Sequence, residues 1–353
     1  MATKRALAIS GGGLHGSFAV GVLLQLRDRG VRDFDVVAGT STGALIAPLA
    51  LLGEFDRIEA AYGTADTASV YRKHSELSLA LGVLGDLVAG KVRLPTSLGS
   101  LAPLRATVEQ TLTDADWDRL VTLARADKKE LFLTTVDLVT GELVYWTLAG
   151  PSSQAGEAHG RIIASREMLI DVMIASSTIP FASNPVVMPD HLGTHPHVDG
   201  GVRDELPAWV CVERGATELY AVVIQQDELR RDEGPFDSGQ AILQRVVSLM
   251  SHEGRTTDLG TVQAAAGFSR FRRDLAERLA SVPGAADLLD RVEVPEIFRR
   301  SRLEDLFVIR PSEALPGGTL DATAAEMREM IAIGRRRTDV ALDAGPTLEP
   351  LVA

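Results

Sequence analysis

Apolar side chains recur along this chain in short runs that end at glycines. Residues 5–10 are apolar enough for a short buried strand. Glycines at 11–13 follow, then an apolar helix over about 17–29, stopped by Gly30. Residues 34–38 predict a second strand that runs straight into a glycine-framed turn at 39–43. Residues 44–52 predict a helix in which Pro48 should produce a kink or an irregularity. Strand, helix, strand, helix, with glycine turns at the strand ends, is the order of a parallel sheet covered by helices on both faces.

The pattern changes between about 65 and 104. Leu77, Leu79, Leu81, Val83, Leu84, Leu87 and Val88 make an apolar, glycine-dotted patch without a clean period. A buried helical insertion accounts for it, and the functional alternative is a mobile cap or a lipid-facing surface. Residues 131–137 and 143–148 predict a hairpin around Thr140-Gly141. Residues 168–177 predict a helix, 185–201 a loop rich in Pro, Gly and His, and 219–225 a core strand. Beyond Asp227 the chain becomes charged and arginine-rich, with 306–309 as one more strand. The expected organisation is one domain over 1–353. Its core spans about 5–225, with an apolar insertion at about 65–104 and a C-terminal helical extension at about 227–345. The stretch 227–305 is either a helical layer on the same core or a small subdomain.

Bulk properties narrow the function. With 353 residues, 45% of them hydrophobic, the chain can bury a large continuous core. A formal net charge of -12 with no compensating basic block argues against nucleic acid as a partner. It also argues against simple adhesion to anionic lipid, and leaves open a transient hydrophobic contact with a membrane surface. The lone cysteine, Cys211, excludes an intramolecular disulfide framework and reads as a small buried residue. The N-terminus shows no apolar signal stretch and no run is long enough to span a bilayer, so the expected location is the cytoplasm.

Three short segments carry candidate chemistry. Gly39-Thr40-Ser41-Thr42-Gly43 has the G-x-S-x-G form of a nucleophile elbow, with an apolar strand before it and an apolar helix after it. The N-terminus of that helix would put unpaired N–H groups beside the serine oxygen. Gly11-Gly12-Gly13-Leu14-His15-Gly16 has two readings. As G-x-G-x-x-G it could bind a dinucleotide, but that needs an acid at the end of the second strand. Asp33 and Asp35 lie before that strand or at its start, and Ser41 occupies its end. The better reading is an oxyanion hole from the amides of Gly12 and Gly13, with Gly11 as a further donor. Each well-aimed donor is worth roughly 3 kcal/mol on a transition state. Asp199-Gly200-Gly201 offers a carboxylate on a tight turn, a general base if burial raises its pKa.

The seven histidines are His15, His74, His159, His191, His195, His197 and His252, and none sits in a motif that marks a triad. His191, His195 and His197 crowd the stretch before Asp199 without standard metal-ligand spacing, so a surface loop is the expected account. His252 is the least implausible triad histidine because it follows Asp199. Three hypotheses stand on these residues: a Ser–Asp hydrolase, a Ser-His-Asp esterase, and a lipid-binding protein without turnover.

In this order, the segments closely resemble the patatin-like phospholipase family, with its GGG-x-x-G loop, G-x-S-x-G elbow and D-G-G aspartate. Ala175-Ser176-Ser177-Thr178-Ile179-Pro180-Phe181 resembles the family's A-S-x-x-x-P segment. Pro103-Leu104-Arg105 and Thr135-Val136-Asp137-Leu138-Val139-Thr140-Gly141 also look like family features. The resemblance covers about 5–225. It implies a three-layer α/β/α sandwich with a mainly parallel sheet, and hydrolysis of lipid acyl esters without a metal or other cofactor. It implies Ser41 as nucleophile, Asp199 as base and Gly11, Gly12 and Gly13 as oxyanion glycines, with Gly16, Gly39, Gly43, Gly200 and Gly201 supporting the motifs. Apolar side chains from 77–88 and 179–187 would line an acyl channel. His15 stands where the family often has Lys or Arg, which should make electrostatic support there weaker or pH-dependent.

Overall fold

The computed structural model describes residues 3–65, 67–73, 97, 99–148, 160–180, 182–190, 193–226, 234, 236, 237, 239–282, 298, 301–319 and 321–347. The strands are β1 (Arg5–Ile9), β2 (Val36–Gly39), β3 (Arg72–Lys73), β4 (Gly99–Ser100), β5 (Glu130–Asp137), β6 (Leu143–Leu148), β7 (Gly160–Ile163), β8 (Val186–Asp190), β9 (Gly193–Asp199), β10 (Glu218–Val222) and β11 (Asp305–Ile309). The helices are α1 (Gly16–Asp28), α2 (Thr42–Leu51), α3 (Phe55–Gly63), α4 (Thr67–Val70), α5 (Ala102–Thr111), α6 (Asp114–Arg125), α7 (Arg166–Ser176), α8 (Ala208–Glu213), α9 (Gly239–Leu279) and α10 (Ala324–Ala344).

The main sheet has the order β11-β10-β1-β2-β5-β6-β7, and its first five strands are parallel. β6 returns antiparallel to β5, and β7 runs parallel to β6. Side chains alternate along a strand, so each parallel strand feeds two cores. Leu7 and Ile9 of β1 join one apolar cluster, and Ala6 and Ala8 join the other. β10 repeats this, with Tyr220 and Val222 on one side and Leu219 and Ala221 on the other. The first cluster packs residues from α1, α2, α3, α5, α7 and α10 against the sheet. The second includes α8 and α9, with Leu259, Val262, Ala265 and Ala266 of α9 buried. The chain is thus a three-layer α/β/α sandwich around a mostly parallel sheet, with further helices at its C-terminal end.

Those C-terminal helices pack on the same core. α10 crosses α1 with the two backbones in contact: a Cβ on Gly21 would lie 2.0 Å from the Ile331 carbonyl oxygen, and one on Gly334 would lie 2.1 Å from that of Phe18. Only glycine at both positions permits this approach.

One expectation about the elements changes. The stretch 185–201 is largely a β-hairpin, β8 on β9, with Val186 opposite His197 and Asp190 opposite Gly193. Pro189 and Pro196 hide the strand pattern, and both are tolerated in a pair at the sheet margin. α2 continues through Pro48 to Leu51. The apolar patch at 77–88, Phe181, His74, His159 and His191 lie outside the described residues.

Candidate active site

β5 brings Ser41 and Asp199 together. β2 runs along one edge of β5 and ends with Gly39 opposite Leu133. β9 arrives on the same edge from the opposite direction and ends with Asp199 opposite Thr135. The other edge of β5 is taken by β6, which pairs Trp146 with Leu133 and Val144 with Thr135. Two strands therefore meet nearly end to end, two residues apart on β5, and each delivers one candidate residue into the gap.

At the end of β2 the chain turns sharply into α2, with Ser41 at φ 56°, ψ -122°. That conformation is strained for a residue with a side chain. Gly39 and Gly43 make the turn sterically feasible, since a Cβ on Gly43 would lie 2.2 Å from the Ile9 carbonyl oxygen. The Ser41 amide donates to Ser176 Oγ at 2.9 Å, and Ser177 Oγ reaches the Ser41 carbonyl at 3.5 Å. The Asp199 amide donates to the Thr178 carbonyl at 3.0 Å. One segment, 176–178, thus braces both residues.

The Ser41 hydroxyl interacts with the Asp199 carboxylate. Both residues are buried, and Asp199 Oδ1 also accepts from the Gly201 amide at 2.8 Å. Burial pushes the Asp199 carboxyl up from 3.8 to about 7, against the pull of the Ser41 hydroxyl and the Gly201 amide, while the nearby Glu205 charge adds to the rise. Gly200 sits under this turn, where a Cβ would lie 2.1 Å from Thr134 Oγ1.

The glycine-rich loop passes directly beside the serine, since a Cβ on Gly11 would lie 3.1 Å from Ser41 Cβ. The Gly11 amide is committed to the Glu205 carbonyl at 3.1 Å, so it is not free in this arrangement to bind an oxyanion. The amides of Gly12 and Gly13 donate to no backbone group among the described residues. Gly16 lies against Thr42 Oγ1, 2.2 Å from where its Cβ would be. The C-terminal part closes over the loop: Leu14 N donates to the Thr319 carbonyl at 2.8 Å, and His15 Nε2 donates to the Gly317 carbonyl at 3.2 Å. Burial lowers the His15 pKa although that carbonyl favours the cation, so at neutral pH this corner gains no positive charge from it.

The other histidines have different partners. His252 Nδ1 accepts from Arg255 at 2.8 Å, and Arg255 also contacts Gln225 and Glu205. His195 Nδ1 pairs with Asp137 at 2.7 Å. His197 is fully buried against Trp146, with Thr135 Oγ1 at 3.0 Å from its Nδ1. His195 and His197 therefore lie on strand β9, half-buried and buried respectively, rather than on a surface loop. Among the described residues, no group of three or more His, Cys, Asp or Glu is placed to hold a metal ion.

A cavity of about 350 Å³ opens from Ser41 and Gly13. Its walls are mainly apolar: Leu45 and Leu49 of α2, Ile58 of α3, Leu104 and Val108 of α5, and Met173 of α7. Ile179 contributes as expected, and helices α2, α3 and α5 supply ten of the described lining residues. Tyr62 closes one side, bonded to Thr42 Oγ1 at 2.6 Å, and burial raises its phenol to about 12. A roomier, open groove of about 610 Å³ around Arg32, Arg119 and Lys129 touches neither Ser41 nor Asp199. Among the described residues, no helix is long and apolar enough to cross a membrane.

The family model described as patatin-like phospholipase matches residues 7–212. No curated protein matches the chain. Among solved structures the chain is similar to VipD from Legionella pneumophila, at 15% identity and a TM-score of 0.42, over 97% of this chain and 67% of that one.

Proposed function

The chain belongs to the patatin-like phospholipase family, and on that footing we propose that it is a serine acyl hydrolase acting on lipid esters through a Ser41–Asp199 dyad. The observation that carries the reading is a serine on a strained elbow, facing a buried carboxylate whose pKa is about 7, at the mouth of an apolar cavity. A base poised near neutrality can take a proton in the transition state and return it afterwards.

Ser41 Oγ attacks the ester carbonyl as its proton passes to Asp199. The carbonyl oxygen becomes an oxyanion against the amides of Gly12 and Gly13. Collapse breaks the bond to the alcohol, which leaves with the proton from Asp199. The acyl-enzyme remains on Ser41 with its chain in the cavity. Water, deprotonated by Asp199, attacks the acyl carbon, and the carboxylic acid leaves as Ser41 recovers its proton. No metal or other cofactor enters this scheme. The ester reaches the site from a lipid surface by transient contact. The C-terminal helices belong to the same functional unit, since residues 317–319 reach the oxyanion loop.

The test is hydrolysis of a lipid panel and of p-nitrophenyl esters, with fluorophosphonate labelling in parallel. Wild type should label and turn over. Ser41→Ala should do neither, and Asp199→Asn should lose at least a hundredfold in kcat. Retention of most activity by Asp199→Asn would exclude the dyad.

A further inference from the structure

The acyl cavity has a weak point in its wall. It follows α2 from Thr42 through Leu45 to Leu49, a depth of about 10 Å at 1.5 Å per residue. At about 30 Å³ for a water-sized group, its 350 Å³ takes roughly a dozen chain carbons. Where α3 meets α5, the wall includes Ala61 and Thr111. The same two residues line a separate, open depression of about 480 Å³ on the outside of the molecule. There they are joined by Arg57, Ala60, Gln110 and Thr113. At this point Ala61 and Thr111 belong to the lining of both spaces.

The inner side of this partition is mainly apolar, and the outer depression combines Ala60 and Ala61 with the polar residues Arg57, Gln110, Thr111 and Thr113. Among the described residues, no carboxylate lines the outer depression. Arg57 in its lining is already engaged: it holds both oxygens of Asp116 at 2.8 Å and also bonds the Thr111 carbonyl. That fixes the guanidinium and leaves its methylene stem as surface.

The geometry points to an acyl channel with two ends. A chain of up to about twelve carbons is contained. A longer one passes Ala61 and Thr111, threads between α3 and α5, and lays its distal carbons in the outer depression. The substrate class is then a long single acyl chain, with Ala61 and Thr111 as specificity-determining residues. The assignment rests on the hydrolase reading for the ester, but not for the binding of the chain.

The experiment separates the two. Saturated fatty acids of 8, 12 and 16 carbons, below their micelle concentrations, are titrated calorimetrically into full-length Ser41→Ala. Affinity should rise at each step. Adding Ala61→Phe at the partition should lower affinity for the 16-carbon acid at least tenfold more than for the 8-carbon acid. Ala60→Trp, an exposed substitution in the outer depression, should selectively weaken the 16-carbon acid in the same direction. Affinity that stops rising at 12 carbons in the parent would overturn the proposal, as would equal losses for all three acids in the Phe variant. Turnover of octanoyl and palmitoyl p-nitrophenyl esters by the Ser41 protein is measured alongside. Absence of turnover with the binding pattern intact would refute the hydrolase and keep the channel.

Discussion

Ser41 has two properties that mutation can separate, its hydroxyl and its backbone strain. A side chain at φ 56°, ψ -122° costs about 1 to 3 kcal/mol, which glycine avoids. Ser41→Ala should abolish turnover and keep the strain. Ser41→Gly should also abolish turnover and be more stable than Ser41→Ala by about 1 to 2 kcal/mol in urea denaturation. Equal stability of the two would show that the elbow is relaxed. Asp199 carries the pH dependence. As the proposed base it must be ionised, so kcat/KM should rise with pH through about 7 and then level off. Stability runs the other way. The carboxyl holds its proton more tightly when folded, so its contribution is fully present below the ordinary value of 3.8 and is lost as pH rises through about 7. The Tm advantage of Asp199→Asn over wild type should therefore grow from pH 4 to pH 8. Ser41 and Asp199 were legible in the sequence because glycines mark their turns. The roles of Ser176 and Thr178 were not. Ser176 accepts from an amide 135 residues away, a contact that no local spacing encodes.

Among the elements, the buried parallel strands were readable as uninterrupted apolar runs, and the β5–β6 hairpin as two runs around Thr140-Gly141. Asp137 secures that turn, since its Oδ1 accepts from the Val139 amide at 2.7 Å. The β8–β9 hairpin was not readable, because its prolines and histidines carry no apolar alternation. Helix α6 had a signal that went unused: Thr113 and Asp116 form a reciprocal capping box at its start. The α1–α10 crossing was invisible, since a glycine inside a helix reads as a weak position until its neighbour is known. That crossing gives a sharp test. Gly334→Leu must move the Phe18 carbonyl, and should cost about 3 kcal/mol or more by urea midpoint. Gly260→Ala in α9, with nothing within 4 Å of its Cβ, should be neutral or stabilising by up to about 1 kcal/mol. Similar effects at both sites would mean that the two helices do not touch as described.

For the whole molecule, the arginine-rich end is explained by what its charges meet. Arg29 pairs with Asp339 and Asp343, and Arg335 with Asp28, so α10 is tied to α1 along its outer side. These exposed pairs are individually worth little and mainly set alignment. Arg255 is different, since it is buried and reaches Glu205, whose carbonyl holds the Gly11 amide. The part of the chain beyond the family match thus supports the glycine-rich loop from two directions, through α9 and through residues 317–319. The meeting of β2 and β9 on β5 has a broader consequence. Apart from Gly13, Leu14, Ser41 and Met327, every described residue lining the cavity lies in the chain between Ser41 and Asp199. The gap between those two residues is held by β5 and by the 176–178 segment, not by α3 and α5. On the proposed reading, α3 and α5 can therefore be exchanged for helices of another length, and with them the lipid preference, while the proposed reacting pair keeps its spacing. Chemistry and preference are inherited as separate parts of one chain.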